Sequence, residues 1–564
     1  MRWKIASPNM QLVRELTRTL NIPEIIATLL VNRGVADAES ARRFLFPRME
    51  HLGDPFLMRD LEKALYRTLQ AIEQKEKILI YGDYDVDGTT AVVILHKALD
   101  MLGAKTSYHI PRRLVDGYGM KADVIEQAAT DGIKLIITVD TGIKAYDVVE
   151  KASSLGIDCI ITDHHLPENV LPKAFAVLNP KRPDCPYPEK ELCGVGVAFK
   201  LVQALFLRTG REKYLPPFLK IVAIGTIADV VPLLGENRVF AKLGLEGLQL
   251  PVNAGLKHLI EISGLGGKSI TSSDVGFRLA PRINAVGRLG SGDQAVELFV
   301  STDEERSRLL AAEMNQLNRE RQQIEEQIIK NIEERFAEEL QHSRDPVIIV
   351  DGEGWHRGVI GIAATRLTER FHRPALVVSR EGASGYGSGR GPKNFHLLNA
   401  MESCRDLFDR FGGHAQAVGF QIPLEKLEEF RARINQFALD NVNWAELEPT
   451  LEIDAEVRLS DLDEEVFQQI ERLAPFGTAN PQPIFLTRDL PVIAEPRILK
   501  GKHLKFRVEQ DGRAVDALGW NMAHHCEQIT RSAGRLRLAF SLAQNEFQQM
   551  KTLQLMVKDV QVAD

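Results

Sequence analysis

Cysteine is scarce in this 564-residue chain, which has only five: Cys159, Cys185, Cys193, Cys404 and Cys526. They are scattered and form no Cys-x-x-Cys pair, which argues against both a disulfide framework and a thiolate zinc site. Long apolar runs are also missing. No segment approaches the length of a membrane span, and Met1-Arg-Trp-Lys-Ile-Ala-Ser-Pro8 lacks the apolar core of a signal peptide. The expectation is a cytoplasmic protein with no membrane partner. Nor is positive charge in excess. A formal net charge of −7 argues against a protein that coats nucleic acid by charge alone, but is compatible with a local basic channel beside an acidic centre. Two nucleotide-binding signatures are incomplete. Ser263-Gly-Leu-Gly-Gly-Lys268-Ser269 has Ile262 where a phosphate-binding loop needs its first glycine, and Gly194-Val-Gly196-Val-Ala-Phe199 lacks the last glycine of the dinucleotide pattern.

What the chain does have is acid at the ends of apolar segments. Lys77-Ile-Leu-Ile-Tyr-Gly-Asp83-Tyr-Asp85-Val-Asp87-Gly-Thr-Thr90 runs a buried-strand signal into three alternate aspartates, and Ala91 to Leu99 then reads as a helix. The carboxyl end of a strand in an open α/β sheet is where ligands bind. Three carboxylates within five residues repel one another unless a cation or a hydrogen-bond network neutralises them. An EF-hand loop is disfavoured, because its twelfth position would be Ile94 and a strand, not a helix, precedes it. A solvated acidic turn capping the next helix is the plain alternative. Later segments repeat the pattern: Leu135-Ile-Ile-Thr-Val-Asp140-Thr-Gly142, Ile160-Ile-Thr-Asp163-His164-His165, and Asp229 inside the apolar run from Ile221. Each alone reads as a cap, a core histidine or an ion-pair partner. Together they form a convergent Asp/His cluster suited to two divalent ions, Mn²⁺ or Mg²⁺, that share a carboxylate.

The chain is long enough for several domains. Residues 1–75 read as a helical segment packed on the first domain. Residues 76–301 alternate strands and helices, as in a doubly wound, mainly parallel α/β sheet. Residues 302–341 hold no Gly or Pro and read as one long bridging helix, while 342–446 form a second α/β domain rich in glycine turns. In 447–564 the alternating segments predict a small antiparallel, OB-like β-barrel.

In order and spacing, Gly-Asp83-Tyr-Asp85-Val-Asp87-Gly-Thr-Thr, Val-Asp140-Thr-Gly, Asp163-His164-His165 and Ala-Asp229-Val-Val-Pro resemble the four motifs of the DHH phosphoesterases. The resemblance extends over nearly the whole chain and implies a single-strand-specific 5′-to-3′ DNA exonuclease of DNA repair and recombination. It implies that Asp85, Asp87, Asp140, His164 and Asp229 ligate two metals, with Asp140 bridging them. Asp83 is either a ligand or an immediate neighbour, and His165 orients the site or meets the scissile phosphate. Asn284 and Arg288 in Ala280-Pro-Arg-Ile-Asn-Ala-Val-Gly-Arg288, placed after a helix end, are expected beside the active site. Arg112 and Arg113 are candidates for gripping the DNA backbone or its 5′ end.

The glycine-rich segments around His356 and Arg357, around Ser388 and Arg390, and around Gly413 and His414 resemble the DHH-associated domain, which faces the metal site. Ser388 and Arg390 are the candidates for the terminal phosphate. In the barrel, Lys502, Lys505 and Phe506 combine cations with a stacking surface for a single strand. At Phe476-Gly-Thr-Ala-Asn480 the chain departs from the expected Gly-x-Gly-Asn. The expected partners are single-stranded DNA and a helicase or single-strand-binding protein, with the chain itself a monomer. Two rival readings keep the scaffold: a phosphodiesterase for small nucleotides, and a catalytically inactive DNA-binding subunit. The second would be expected to have lost an acidic motif, and all four are present.

Overall fold

The computed structural model describes residues 1–562 apart from 113–116, 118, 251–252, 291, 338–339, 341–344, 443–449, 533–535 and 548–549. The chain starts with strand β1 (Arg2–Ile5) and helices α1 (Met10–Leu20), α2 (Glu24–Asn32), α3 (Ala38–Leu45) and α4 (Leu61–Glu73). Of these helices, α4 buries Leu61, Ala64 and Leu65 in the first domain's core. The other three do not pack there. Val13, Leu16, Ile26, Leu29 and Leu30 share a core with Leu459, Phe467, Leu504 and Phe540 of the C-terminal barrel, and β1 pairs in parallel with β12 (Thr450–Ile453). The expected placement of residues 1–75 is corrected accordingly. Helical periodicity shows that one face is covered, but it carries no information about which distant segment covers it.

The first domain is a sheet of β2 (Lys77–Tyr81), β3 (Lys105–His109), β4 (Ile133–Val139), β5 (Asp158–Thr162) and β6 (Ala176–Leu178), all parallel, in the order β3-β2-β4-β5-β6. Alternate side chains enter opposite cores: Ile78, Ile80 and Ile137 join one, Leu79, Tyr81 and Ile136 the other. Both faces are therefore buried, which is why β2, β4, β5 and β6 are mainly apolar, whereas the edge strand β3 is polar and half-exposed. Helix α5 (Val86–Met101) covers one face, and α6 (Ala122–Thr130) and α7 (Tyr146–Ser154) the other. Leaving β2, the chain crosses to β3 by one face and returns to β4 by the other. The strand order thus switches between β2 and β4, which opens a crevice at their carboxyl ends. Helices α8 (Gly194–Arg208), α9 (Leu219–Ala228) and α10 (Gly235–Gly247) complete the core on the α5 side.

Helix α11 (Ala280–Leu289) continues a single π-turn, 275–279. Asn284 and Arg288 are thus inside a helix, where a position after a helix end was expected. Pro281 follows the π-turn directly and cannot donate a backbone hydrogen bond to it.

Helix α12 (Glu304–Arg335) has 32 residues and would be about 48 Å long at 1.5 Å per residue. Its first half buries Leu310, Ala311 and Met314 in the first domain, and its second half buries Ile328 and Ile332 in the second. Buried Glu325 pairs with Arg321 on α12 and with Arg366 of the second domain. One helix thereby joins the two cores.

The second domain orders its strands β10 (Arg410–His414), β11 (Ala417–Pro423), β9 (Ser384–Arg390), β8 (Ala375–Glu381) and β7 (Ile348–Glu353). Only β7 and β8 are parallel, joined through α13 (Arg357–Phe371). Helix α14 (Leu427–Asn441) covers the opposite face. The C-terminal sheet runs β13 (Ala455–Glu456), β14 (Phe485–Leu490), β18 (Leu536–Phe547), β19 (Met550–Val562), β17 (Arg513–Gly519), β16 (His503–Gln510) and β15 (Val492–Leu499), with α15 (Glu464–Glu471) packed on it. It is mixed rather than antiparallel, because β13–β14 and β17–β19 pair in parallel. The departure at Gly477-Thr-Ala-Asn480 has a backbone counterpart. Ala479 has φ +59°, a left-handed conformation that costs an L-residue about 1–2 kcal/mol relative to glycine. Buried Asn480 holds the turn: its amide donates to the Leu473 and Pro475 carbonyls, and its oxygen accepts from Arg33 Nε at 2.6 Å.

Candidate metal centre

The β2–α5 turn places Asp83 and Asp87 in the interior with Asp85 half-buried between them. Asp85 caps α5, accepting the Gly88 N–H at 3.0 Å. A Cβ on Gly88 would lie 2.7 Å from the Asp83 backbone nitrogen, so only glycine lets the turn fold this tightly. Asp140 follows β4 at φ +60°, a strained conformation of the kind that concentrates at functional sites. His164 and His165 follow β5, and Asp229 caps the end of α9. The sequence brings these elements to one point from three strand ends and one helix end.

His164 is the hub. Its Nε2 lies 3.1 Å from Asp140 Oδ1, 3.8 Å from Asp229 Oδ2 and 3.9 Å from Asp87 Oδ2. Donor atoms fall within 4.8 Å of one another in three sets: Asp83, Asp85 and Asp140; Asp87, His164 and Asp229; and Asp140, His164 and His165. Among the described residues, Asp140 Oδ1 and Asp229 Oδ2 are buried and accept no hydrogen bond. Buried acceptors left without partners in a native fold call for another ligand, and carboxylate and imidazole donors suit Mn²⁺ and Mg²⁺. The residues fit such ions, and Asp140 is common to two of the donor sets that would hold them.

The electrostatics agree with this fit. Burial, and next the charge of Asp85, push the Asp87 carboxyl up to about 7. Burial, followed by Asp87 and Asp85, drives Asp140 and Asp229 well above the usual carboxylate range. Burial and then neighbouring His165 lower His164 to about 3, so its imidazole is neutral and has a lone pair available for a metal. Asp87 is held from behind, as its oxygens accept the Gly194 and Val195 N–H groups at the start of α8, at 2.6 and 2.8 Å. The helix dipole supports an anion there.

Sequence reasoning gave Asp163 no role. It is fully buried and accepts four hydrogen bonds: from Ile143 N at 3.0 Å, His164 N at 2.7 Å, His165 N at 3.1 Å and His165 Nδ1 at 2.7 Å. It therefore fixes the His165 ring, which is half-exposed at the rim. Burial works against charge on His165, but the Asp163 bond and charge outweigh it and raise its pKa. The Asp-His-His tripeptide was the available signal. Gly194-Val195 was missed as well, having been weighed only as a dinucleotide loop.

The other expected residues divide. Helix α11, which carries Arg288, sits directly on the acidic turn: a Cβ on Gly287 would be 2.5 Å from the Tyr84 carbonyl. Arg288 donates to the Gly358 carbonyl of the second domain at 2.8 Å, and half-buried Asn284 is one turn earlier. His356 caps α13 through its Nδ1. Arg357 is engaged by Glu381 and stacks on Tyr386 with its guanidinium carbon 3.1 Å from the ring centre. Ser388 and Arg390 meet each other at 3.2 Å and face the start of α13 at Gly361. Gly413 is in β10 at φ +147°, where a Cβ would strike the Ala417 carbonyl. Partial desolvation, and then the charges of Arg390 and His165, lower the pKa of His414. His414 of the second domain thus feels the charge of His165 of the first. Arg112 is exposed past the end of β3, and Arg113 lies outside the described residues.

In the barrel, Lys502 is exposed and Lys505 pairs with Asp516 at 2.9 Å. Phe506 corrects the expectation. It is 3% exposed and packs with Leu504 and Val508 in the barrel core, so it is unavailable for stacking on bases. On a strand with period two, Lys505 and Arg507 take the outward face and Phe506 the inward one.

A parallel sheet with clustered aspartates and a histidine at its switch point, bridged to a second domain, defines a DHH-type phosphoesterase. Family models match accordingly: the DHH family N-terminal domain over 77–226, the DHHA1 domain over 344–440 and the RecJ OB domain over 453–559. The chain is 40% identical to the single-stranded-DNA-specific exonuclease RecJ of Bacillus subtilis, over all of this chain and 71% of that protein. It is 33% identical to the RecJ of Escherichia coli over 96% of each. The crystal structure of RecJ with Mn²⁺ from Thermus thermophilus superposes with a TM-score of 0.86 at 29% identity, covering all of this chain and 80% of that one. The chain belongs to the RecJ family.

Proposed function

We propose that the protein is a metal-dependent exonuclease that degrades single-stranded DNA from its 5′ end to 5′-mononucleotides, in DNA repair and recombination. The observation that carries this reading is the set of buried, partnerless carboxylate oxygens around His164. Asp83, Asp85 and Asp140 would hold one divalent ion, and Asp87, His164 and Asp229 the second, with Asp140 shared. When bound, such a pair supplies an activated water and neutralises charge on the phosphate in an in-line displacement.

The protein's own groups do the rest. His165, whose pKa Asp163 raises and whose ring Asp163 orients, is the group that would donate to a phosphate oxygen. Arg288 and Asn284 on α11 flank the acidic turn and hold the strand on the first-domain side. Ser388, Arg390, Gly413 and His414 line the opposite side and take the terminal phosphate, which selects the 5′ end. Arg390 offers a planar fork for that charge. Arg112 grips the backbone at the end of β3, and Lys502 and Lys505 supply charge on the barrel.

Both domains that carry these residues belong to one chain, so a monomer suffices as the working unit. An enzyme that takes one strand needs duplex unwound for it, which makes a helicase or a single-strand-binding protein the expected partner. Among the described residues no helix is long and apolar enough to cross a membrane, and we place the enzyme with its DNA in the cytoplasm. The test is digestion in Mn²⁺ of single-stranded DNA, blunt duplex and a cyclic dinucleotide. Rapid loss of the first alone supports the reading, and equal loss of duplex or preference for the dinucleotide rejects it.

A further inference from the structure

A second concave site lies far from the acidic centre in sequence, between the N-terminal helices and α15. Its volume is about 490 Å³, within the range of small-ligand pockets, and it is lined by Arg42, Arg43, Arg48, His51 and Arg472 together with Phe46. Arg43 pairs with Glu39, whereas Arg42, Arg48 and Arg472 form no ion pair among the described residues. His51 Nδ1 accepts the Arg48 backbone N–H at 3.1 Å, which ties two residues of the lining together. Phe46 is 51% exposed, unusual for a phenylalanine in a chain whose large aromatics are mostly interior.

A further cation stands behind the pocket wall. Arg238 of α10 is 2% exposed and ties the pocket's two sides together, donating to the Phe44 carbonyl at 2.7 Å and to the Arg472 carbonyl at 3.3 Å. Its Nη1 is buried without a hydrogen-bond partner, and no carboxylate pairs with it among the described residues. A net-acidic chain thus gathers uncompensated arginines around one hollow with an aromatic ring at its edge. Arginine forks match phosphate oxygens, and an exposed ring stacks on a base.

We propose that this pocket holds one nucleotide of the same single strand, phosphate on Arg48 and Arg472 and base on Phe46, at a distance from the end being cleaved. The site rests on the exonuclease reading and extends it: the module of α1–α3 and the barrel becomes a second grip on the strand. Helix α10 connects that grip to the catalytic domain through Arg238. All three of these N-terminal helices and the pocket's Arg42, Arg43 and Arg48 precede the segments matched by the family models, which begin at residue 77.

The experiment measures anisotropy of fluorescent oligothymidylates from 2 to 20 nucleotides in chelator, with wild type, Arg48→Ala/Arg472→Ala and Phe46→Ala. All three positions are exposed, and melting curves check that the variants fold. Wild type should gain affinity with length. The double variant should lose about tenfold on the longest strands and little on the shortest, with its salt slope reduced by about 0.7 for each phosphate contact removed. Phe46→Ala should weaken long strands with the slope unchanged. Wild-type length dependence in the variants overturns the proposal. So does loss of thymidine monophosphate binding, or of an acidic peptide, with long-strand affinity intact. Hydrolysis of single strands by wild type is scored separately: its absence would reject the exonuclease reading, whereas normal hydrolysis with unaltered variants would reject the pocket alone.

Discussion

Metal should stabilise this protein more strongly as pH rises, and Asp87 sets the scale. In the metal-free fold its carboxyl is pushed up to about 7, by burial first and Asp85 second, whereas the unfolded chain releases that proton near the ordinary 3.8. Below about pH 4 both states hold the proton and there is no penalty. Between about 4 and 7 the unfolded chain has released a proton that the folded one keeps, so stability falls as pH rises, and above about 7 the loss is complete. A displacement of about three pH units at 1.36 kcal/mol each gives about 4 kcal/mol, and Asp140 and Asp229 are shifted in the same direction. Divalent ions bind the anionic carboxylates and remove the repulsion. Melting curves with Mn²⁺ and with chelator should therefore lie closer together at pH 5 than at pH 8. For a domain of this size, about 4 kcal/mol corresponds to about 8–16 °C. Asp87→Asn should raise the metal-free melting temperature at pH 8 and shrink the response to Mn²⁺. An equal Mn²⁺ shift at pH 5 and pH 8, or an Asp87→Asn response like wild type, would refute the reasoning.

Asp163→Ala leaves three backbone N–H groups and the His165 ring without their acceptor, so hydrolysis should fall at least tenfold, with a lower melting temperature. Wild-type turnover would remove Asp163 from the site. Gly194→Ala would put a Cβ 2.5 Å from Asp140 Cβ and 2.6 Å from its Oδ1. Calorimetric Mn²⁺ affinity should drop about tenfold or more, and unchanged affinity would contradict the packing described. Phe506→Ala should destabilise the barrel by about 3–5 kcal/mol, read in denaturant unfolding. Selective loss of DNA binding with unaltered stability would instead restore Phe506 as a base-stacking residue.

The parts of this fold that were legible in sequence are those governed by local pattern. Ile78–Tyr81 and Leu135–Val139 read as buried parallel strands because both faces are apolar, and the aspartates that follow them occupy the ligand end of such a sheet. Illegible features depended on distant partners. Val13 and Leu16 declare an apolar face, but only the folded chain shows it packed against the barrel. Phe506 was read by its basic neighbours, although the alternation of Leu504, Phe506 and Val508 already pointed inward. Asp163 looked like one more acid in a motif. Its work is to accept hydrogen bonds from the two residues that follow it and from Ile143, a geometry set by the turn after β5. Gly194 mattered through a contact with Asp140, 54 positions earlier in the chain, and no local motif records such a distance.

The central claim is that the paired acidic sets hydrolyse a single strand from its 5′ end. The direct measurement follows one oligonucleotide in Mn²⁺, labelled at the 5′ end in one sample and at the 3′ end in another. The expected result is immediate release of labelled mononucleotide from the 5′ label, a descending ladder from the 3′ label, and neither with Asp140→Ala. A ladder from the 5′ label with early mononucleotide from the 3′ label, or hydrolysis retained by Asp140→Ala, would contradict it.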